Sequence, residues 1–211
     1  MKKNTITTII LALGLCASMT GCGAEKENTP DSAGTGAVAE IKEQKATSEI
    51  LDADIYSKKV QLGNQVFTLP VALEDIIASG AVVTDTEVHP TDAVYSTQTY
   101  TTIKLDIDGF SYSLPFIKTI DIAEETIQLN KAKLDSLMDC KQDLILPKGM
   151  KIGMTTEELV SAWGKPSNDV ETYPDTYIYK ESDESRDIVR FHIDMNTNTI
   201  ENITINYHKE Q

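Results

Sequence analysis

A glycine-rich stretch at residues 146–167, LPKGMKIGMTTEELVSAWGKPS, contains the residue types of a phosphate-binding loop. Such a loop requires the spacing Gly-x-x-x-x-Gly-Lys-Ser/Thr, in which backbone N–H groups surround the phosphates and the hydroxyl binds the metal ion. With Gly164 and Lys165 at its end, this spacing places Leu159 at the first glycine and Pro166 at the hydroxyl. Both positions fail, so the stretch does not predict nucleotide chemistry.

The other reactive residue types form no recognisable catalytic or metal-binding pattern. Cys140 needs a histidine or a basic neighbourhood to become a thiolate, yet Asp139 and Asp143 lie close to it beside Lys141. The acidic run ESDESRD at 181–187 lacks the glycine and the alternating spacing of a calcium loop. We therefore expect no catalytic residue, no cofactor, no metal and an inert thiol. The histidines are too scattered in the sequence for metal ligands, at His89, His192 and His208.

The glycine-rich stretch is better explained as a short helix with both ends specified. Thr155 is a suitable N-cap, and Glu158 three residues later completes a capping box. Met154 has hydrophobic-staple spacing to the first apolar residue of the helix. Gly164 supplies the left-handed position after the helix, and Pro166 prevents its continuation. The residues of this structural motif are Met154, Thr155, Glu158, Trp163, Gly164 and Pro166.

Three segments after this helix have the patterns of strands. Residues 175–180 predict a short aromatic strand, and residues 200–207 predict a strand that follows a turn at 196–199. Residues 187–195 alternate, with one polar side and one apolar side. The second half is therefore predicted as one helix followed by a three-stranded antiparallel meander, a two-layer α+β arrangement. The apolar rows are Val189, Phe191, Ile193 and Met195, then Ile203, Ile205 and Tyr207; the polar row is Arg190, His192 and Asp194.

The first half repeats this order of elements. Residues 60–70 predict a strand leading into a helix that ends at Gly80, and residues 100–107 and 110–120 predict a hairpin closed by Asp108 and Gly109. The inward row of the first hairpin strand is Ile103, Leu105 and Ile107. A rival register of the internal repeat aligns GNQVFTLP with DGFSYSLP, which lies forty-five residues later. We prefer a helix-plus-meander repeat because it gives Gly80 and Gly164 equivalent roles.

The N-terminus predicts export. Two lysines precede an apolar run that has the layout of a secretory signal and is too short to span a bilayer stably. Residues 19–22, Met-Thr-Gly-Cys, resemble the lipobox of bacterial lipoproteins. This resemblance implies a signal peptide over 1–21 and a lipid anchor on Cys22, which would hold the protein to a membrane on its extracytoplasmic side.

Composition and length complete the expected domain organisation. Residues 22–52 contain no aromatic residue and predict a flexible tether. The folded part is then expected as a first α+β repeat over 53–122, a partly helical connector over 123–143 and a second α+β repeat over 144–208. The chain has a formal net charge of −14, with 19 Lys and Arg against 33 Asp and Glu. This charge argues against nucleic-acid binding and against flat docking on anionic lipid, because both need a basic face.

The second half resembles the repeat of the β-lactamase inhibitory protein-like fold, which the SmpA/OmlA outer-membrane lipoproteins share. That repeat has a helix starting with Gly-Met-Thr, a Gly-x-Pro exit, an aromatic strand and two hydrophobic strands. The match covers residues 146–207 and rests on Ile152, Gly153, Met154, Thr155, Gly164 and Pro166. The resemblance implies two tandem repeats of this fold and a function in binding proteins rather than in catalysis. The first half lacks the Gly-Met-Thr start and the Gly-Lys-Pro exit.

Tyrosines provide the candidate contact residues. Tyr173, Tyr177 and Tyr179 concentrate aromatic side chains in one short region, where core packing is the preferred role and exposed members would suit a protein contact. We expect a protein- or peptide-binding or scaffold module whose partner is another envelope or extracellular protein. One alternative is a ligand-sensing accessory lipoprotein of a transporter or signalling system, which predicts a ligand-sized pocket between the halves. The other is a cell-envelope hydrolase that uses Cys140 or a carboxylate pair.

Overall fold

The computed structural model of the chain describes residues 43–86, 100–121 and 126–207. The predicted signal peptide, Cys22, His89 and His208 lie outside these residues. The described part contains three short α-helices and eleven strands, which make a mixed α+β fold composed mostly of strands. The helices are α1 (Ser48–Asp52), α2 (Leu73–Ala78) and α3 (Thr156–Trp163). The strands are β1 (Lys59–Leu62), β2 (Gln65–Thr68), β3 (Val71–Ala72), β4 (Val82–Thr86), β5 (Tyr100–Ile107), β6 (Phe110–Asp121), β7 (Thr126–Leu134), β8 (Ser136–Cys140), β9 (Thr176–Tyr179), β10 (Ile188–Asp194) and β11 (Thr199–Asn206).

The strands form a hairpin and two larger antiparallel sheets. The hairpin is β1-β2, the five-stranded sheet has the order β3-β7-β6-β5-β4, and the four-stranded sheet has the order β8-β11-β10-β9. Both larger sheets share one connectivity: a strand, a helix and a meander whose last strand pairs with the strand before the helix. The closing pairs are β3 with β7 and β8 with β11. We call β3 to β7 with α2 the first unit, and β8 to β11 with α3 the second unit.

One hydrophobic core joins the two units. The predicted inward row of β5 is buried, since Ile103, Leu105 and Ile107 are at most 1% exposed. Ile203 and Ile205 of β11 are also fully buried in the same core. The two units therefore share their apolar interior and do not form separately cored domains.

The second unit follows the sequence prediction closely. The Thr155 hydroxyl accepts a hydrogen bond from the Glu158 N–H at 3.2 Å, and the Glu158 carboxylate accepts one from the Thr155 N–H at 2.8 Å, so the capping box is confirmed. Gly164 ends the helix at φ +80° and ψ −164°, a backbone conformation that favours glycine. Pro166 is buried and Met154 is half-buried against the core. Met195, predicted to face inward, is 57% exposed because β10 ends at Asp194.

The first unit combines confirmed and corrected predictions. The Asp108-Gly109 hairpin turn is confirmed, with φ values of +56° and +80°. Residues 60–70 are not one strand: they form the β1-β2 hairpin. The reason is Gly63, which turns the chain at φ +60° and whose missing Cβ would lie 2.8 Å from the Ile107 carbonyl oxygen. Only glycine fits this turn.

The predicted connector is also corrected. Residues 126–134 and 136–140 are strands β7 and β8 rather than a partly helical link. Apolar side chains that face the core occur at Leu129, Ala132, Leu134 and Leu137. Their pairing with distant strands determines their conformation, because β7 pairs with β6 and β3, and β8 pairs with β11. The boundary between the units falls at the single residue Asp135.

Residues 43–52 belong to the folded part, which corrects the predicted tether end at residue 52. Helix α1 has Thr47 as its N-cap and buries Ile50 completely. The Gln61 side chain is fully buried beneath this segment, where its oxygen accepts from the Thr47 N–H at 2.8 Å and its nitrogen donates to the Lys45 carbonyl at 2.7 Å. A satisfied buried amide thus fastens the segment to β1.

A second buried amide extends this network to β6. The Gln44 nitrogen donates to the Gly63 carbonyl at 2.8 Å, and the Gln44 oxygen accepts from the Tyr112 hydroxyl at 3.2 Å. The Tyr112 hydroxyl in turn accepts from the Gly63 N–H at 2.6 Å. Desolvation at this site raises the pKa of Tyr112 to about 12. The network explains why a polar stretch with little apolar content is ordered: its amides bond to the body of the protein instead of water.

Candidate binding surface

The three predicted contact tyrosines occupy different environments. Tyr179 is only 1% exposed, and its ring makes edge-on contacts with Trp163 and Phe191 at centroid distances of 5.2 and 5.9 Å. Its hydroxyl donates to the Gly164 carbonyl at 3.1 Å. Burial raises the pKa of Tyr179 above its ordinary value. Tyr179 is therefore a core residue, and its prediction as a partner contact is wrong because strand alternation turns it under α3.

The other two tyrosines remain accessible. Tyr177 is half-buried on the same side of β9 as Tyr179, opposite Phe191 on β10. It lines a shallow open groove of about 480 Å³ with four residues of α3. Tyr173 is 62% exposed in the loop before β9 and is not among the residues that line the groove. The α3 residues of the groove are Thr156, Glu157, Val160 and Ser161.

The outer edge of β9 is closed to strand addition. Asn168 accepts from the Ile178 N–H at 2.8 Å and donates to the Thr176 carbonyl at 2.8 Å. The Ser167 N–H donates to the Ile178 carbonyl at 2.7 Å, and the Thr176 N–H donates to the Tyr173 carbonyl at 3.2 Å. Every outward backbone group of Thr176 and Ile178 thus has a partner. An incoming peptide therefore cannot extend the sheet at this edge.

The two faces of the second sheet differ in chemistry. One face carries Val189, Phe191, Ile203 and Ile205, which α3 and the shared core bury. The opposite face carries polar side chains and two isoleucines, nearly all of them half-buried. We call this opposite side the open face. It comprises Ile178, Ile188, Arg190, His192, Asn202, Thr204 and Asn206.

Arg190 lies in the middle of the open face. It stands opposite Ile178 on β9 and opposite Thr204 on β11. Among the described residues its guanidinium has no ion pair, and its buried Nε has no hydrogen-bond partner. The Asn202 Oδ1 atom is likewise buried without a partner in that part of the chain. Asn202 faces His192 and is a diagonal neighbour of Arg190, roughly 7–8 Å away by sheet geometry.

Two acidic residues of this sheet, Asp139 and Asp194, bond to groups other than Arg190. The Asp139 carboxylate accepts from the Thr204 hydroxyl at 3.4 Å, and that hydroxyl also accepts from the Asp139 N–H at 3.1 Å. The Asp194 carboxylate accepts from the Asn196 N–H at 2.8 Å in the β10–β11 turn, and this bond lowers the pKa of Asp194. Arg190 therefore forms no ion pair with any acid in the described part of this acidic protein.

Cys140 and His192 do not form a reactive pair. Cys140 is opposite Ile203 on the buried side of β11, whereas His192 is on the open face. Burial raises the pKa of the Cys140 thiol, which disfavours thiolate. Among the described residues no group of three or more His, Cys, Asp or Glu is arranged to hold a metal ion.

The space between the segment before β1 and the second sheet is small. It is lined by Ile55, Tyr56 and Lys58 on one side and by β9, β10 and Tyr207 on the other, with a volume of about 20 Å³. That is close to the size of one water molecule. The Lys58–Asp187 ion pair, with a distance of 2.5 Å, lies in its wall. This space does not fit the ligand that a sensing role requires.

Sequence analysis missed the importance of Arg190 and Asn202. The alternation of 187–195 assigned Arg190 to the polar side, which is confirmed, but did not single it out. A usable signal was present, since Arg186 and Arg190 are the only arginines in the sequence and Arg190 interrupts an apolar strand. Whether the Asn202 side chain has a hydrogen-bond partner depends on its neighbours on β10, and no local sequence pattern shows this.

In the part of the chain that the structure describes, no helix is long and apolar enough to cross a bilayer. Comparison of the chain with protein-family models, with curated proteins and with solved structures gives no match.

Proposed function

We propose that the chain is a lipoprotein, anchored through Cys22 to the extracytoplasmic side of a membrane, that binds a protein or peptide partner through the open face without catalysing a reaction. One observation carries this proposal: half-buried Arg190 lies in the middle of the open face and has no ion pair among the described residues. A partner that places an acceptor against the accessible part of this guanidinium forms a charge-assisted hydrogen bond there.

We also propose that the two units are tandem repeats of a β-lactamase inhibitory protein-like fold. Their shared connectivity supports this, because both place a helix before a meander and return its last strand to the strand before the helix. The first unit has four meander strands and the second has three. The extra strand in the first unit departs from a simple duplication.

The lipid anchor rests on the lipobox resemblance of residues 19–22. Metabolic labelling with an alkyne fatty acid tests it in intact cells. We expect the wild-type chain to be labelled and the Cys22→Ala chain to stay unlabelled. We also expect the Cys22→Ala chain to leave the membrane fraction. Equal labelling of both chains would contradict the anchor.

Site-specific photo-crosslinking on intact cells tests the binding surface. A photoreactive amino acid replaces Ile178 on the open face of the full chain. The matched control replaces Ile77, which is also an isoleucine and is 41% exposed on α2 in the first unit. We expect a discrete crosslinked protein at position 178 and not at position 77. No product at 178, or the same product at both positions, would overturn the proposed surface.

A further inference from the structure

We infer that Arg190 is the recognition residue of the open face and that it binds an aspartate or glutamate side chain on the surface of a protein partner. This inference rests on the proposed function, because it names the chemistry of the partner for the same surface. The argument has three steps: the donor that is present, the acids that do not satisfy it, and the apolar residues around it.

The donor is the guanidinium of Arg190, which is not engaged in an ion pair among the described residues. A guanidinium has five N–H groups in a planar fork that matches the two oxygens of a carboxylate. Arg190 is half-buried, its Nε is shielded, and it lacks an ion pair among the described residues. Partial desolvation strengthens a charge-assisted hydrogen bond formed there. The neighbouring His192 adds donors to the same face.

The acids of the sheet do not compete for this donor. Asp139 is held by Thr204, one strand beyond Arg190, and Asp194 is held by the turn at Asn196. The chain has 33 acidic residues against 19 basic ones, so an arginine left without an acid on a central strand is a local exception. Charge complementarity at this point therefore selects an anionic group on the partner.

The surroundings favour a protein over a free small acid. Ile178 lies directly across from Arg190, and Ile188 precedes it by two residues on the same face. Both are half-buried, so a flat contact can cover them with apolar atoms on each side of the carboxylate. A macromolecular surface supplies such atoms.

Carbodiimide coupling in the Arg190→Lys full chain tests the chemistry directly. The substitution keeps the positive charge and introduces a primary amine, which a carbodiimide joins to a carboxylate within ion-pair distance. On intact cells we expect an isopeptide between position 190 and an Asp or Glu of a second protein, located by mass spectrometry. Arg186→Lys, in the exposed loop before β10, is the matched control and is expected to give no such product.

The photo-crosslink at position 178 provides the second measurement. Arg190→Gln is expected to lower its yield about tenfold or more, because a carboxylate on the partner loses its charged donor. Arg186→Gln is expected to leave the yield unchanged. Thermal unfolding of both variants checks that the fold is retained.

The outcomes separate the two proposals. A photo-crosslink that persists in Arg190→Gln, without an isopeptide at position 190, overturns carboxylate recognition and leaves the proposed function standing. An isopeptide to an acid of the same chain, to a chain-terminal carboxylate or to a small molecule also overturns it. Absence of any photo-crosslink at position 178 in the chain that retains Arg190 overturns the proposed function itself.

Discussion

Helices α2 and α3 occupy equivalent places in the two units, yet their ends are stabilised differently. Helix α3 has a capping box at Thr155 and a glycine at its C-terminal end. The N-cap of helix α2 is Ala72, which provides no side-chain hydrogen bond. Its last carbonyls accept from the backbone N–H groups of Ser79 and Gly80, and the Ser79 hydroxyl donates to the Ile76 carbonyl at 2.7 Å. Helix α2 therefore depends on the burial of Leu73 and Ile76. The same connectivity is built once from local signals and once from tertiary packing.

The largest expected effect tests whether the units share one core. Trp163→Ala removes the edge-on contacts with Tyr179 and Phe191 and the indole bond to the Pro147 carbonyl at 2.8 Å. We expect a loss of about 3–5 kcal/mol in the free energy of unfolding. Ile76→Ala in α2 is the counterpart and is expected to cost about 2–5 kcal/mol.

Urea denaturation followed by circular dichroism measures both variants. A single cooperative transition that shifts in each case supports the shared core. Two transitions, with only one moved by each substitution, would show that the units unfold independently. Trp163→Phe keeps an aromatic ring at the site, so its loss in the free energy of unfolding is expected to be smaller than that of Trp163→Ala.

The next effect concerns the buried network of the first unit. Tyr112→Phe leaves the Gly63 N–H and the Gln44 oxygen without their partner, which costs about 1–3 kcal/mol at neutral pH. Burial raises the pKa of Tyr112 to about 12 from an ordinary value near 10. The stabilisation is therefore complete below about pH 10 and is lost as the pH rises through 12.

Denaturation at pH 7 and at several values between 10 and 12 measures this dependence. The gap between the wild-type chain and Tyr112→Phe is expected to narrow across that window. Tyr173→Phe, at an exposed position, is the control. The difference in unfolding free energy between this variant and the wild-type chain is expected to stay the same across these pH values. A gap that stays constant up to pH 12 would contradict titration of the buried hydroxyl.

Smaller effects are expected at the two helix starts. Thr155→Ala removes the N-cap of α3 and is expected to cost about 1 kcal/mol. Ala72→Ser offers α2 the cap that it lacks and is expected to gain up to about 1 kcal/mol. Differential scanning calorimetry measures both. Equal losses in the two variants would mean that α2 has no room for a capped start.

The smallest expected effect is the absence of a reaction at Cys140, at the end of β8 where the second unit begins. Burial raises its pKa, so iodoacetamide at neutral pH is expected to leave Cys140 unmodified in the folded chain and to alkylate it in denaturant. Peptide mass spectrometry quantifies this residue separately from other cysteines. Rapid labelling of the folded chain would favour a reactive thiol.

Elements with local signals were predictable from the sequence. The capping residues of α3 and the Asp108-Gly109 turn act through neighbouring backbone groups, so their residue types are sufficient evidence. Strands β7 and β8 were not predictable, because their conformation depends on pairing with strands far away in the sequence. The order of residues 43–52 depends on Gln61 and Tyr112 in the same way.

The candidate site also has one feature with a local sequence signal and others that depend on distant residues. Alternation placed Arg190 on the polar side of its strand, and the structure confirms that position. Whether its guanidinium is paired depends on where Asp139 and Asp194 bond, which no local pattern shows. Alternation puts Tyr179 on one side of β9, but its burial also depends on the position of α3 above that side, which no local pattern shows.

The amide of Asn168 has a consequence for how copies of this protein coexist at high density. Exposed strand edges are the usual starting points of intermolecular polymerisation. A lipid anchor would confine the chains to two dimensions, where neighbouring copies collide often. The Ile178 N–H and the Thr176 carbonyl are bonded to the Asn168 side chain, and the other outward groups of these two residues are bonded to backbone, so β9 offers no template to an adjacent molecule. The asparagine thereby helps to prevent a fibre from growing on this side of the sheet.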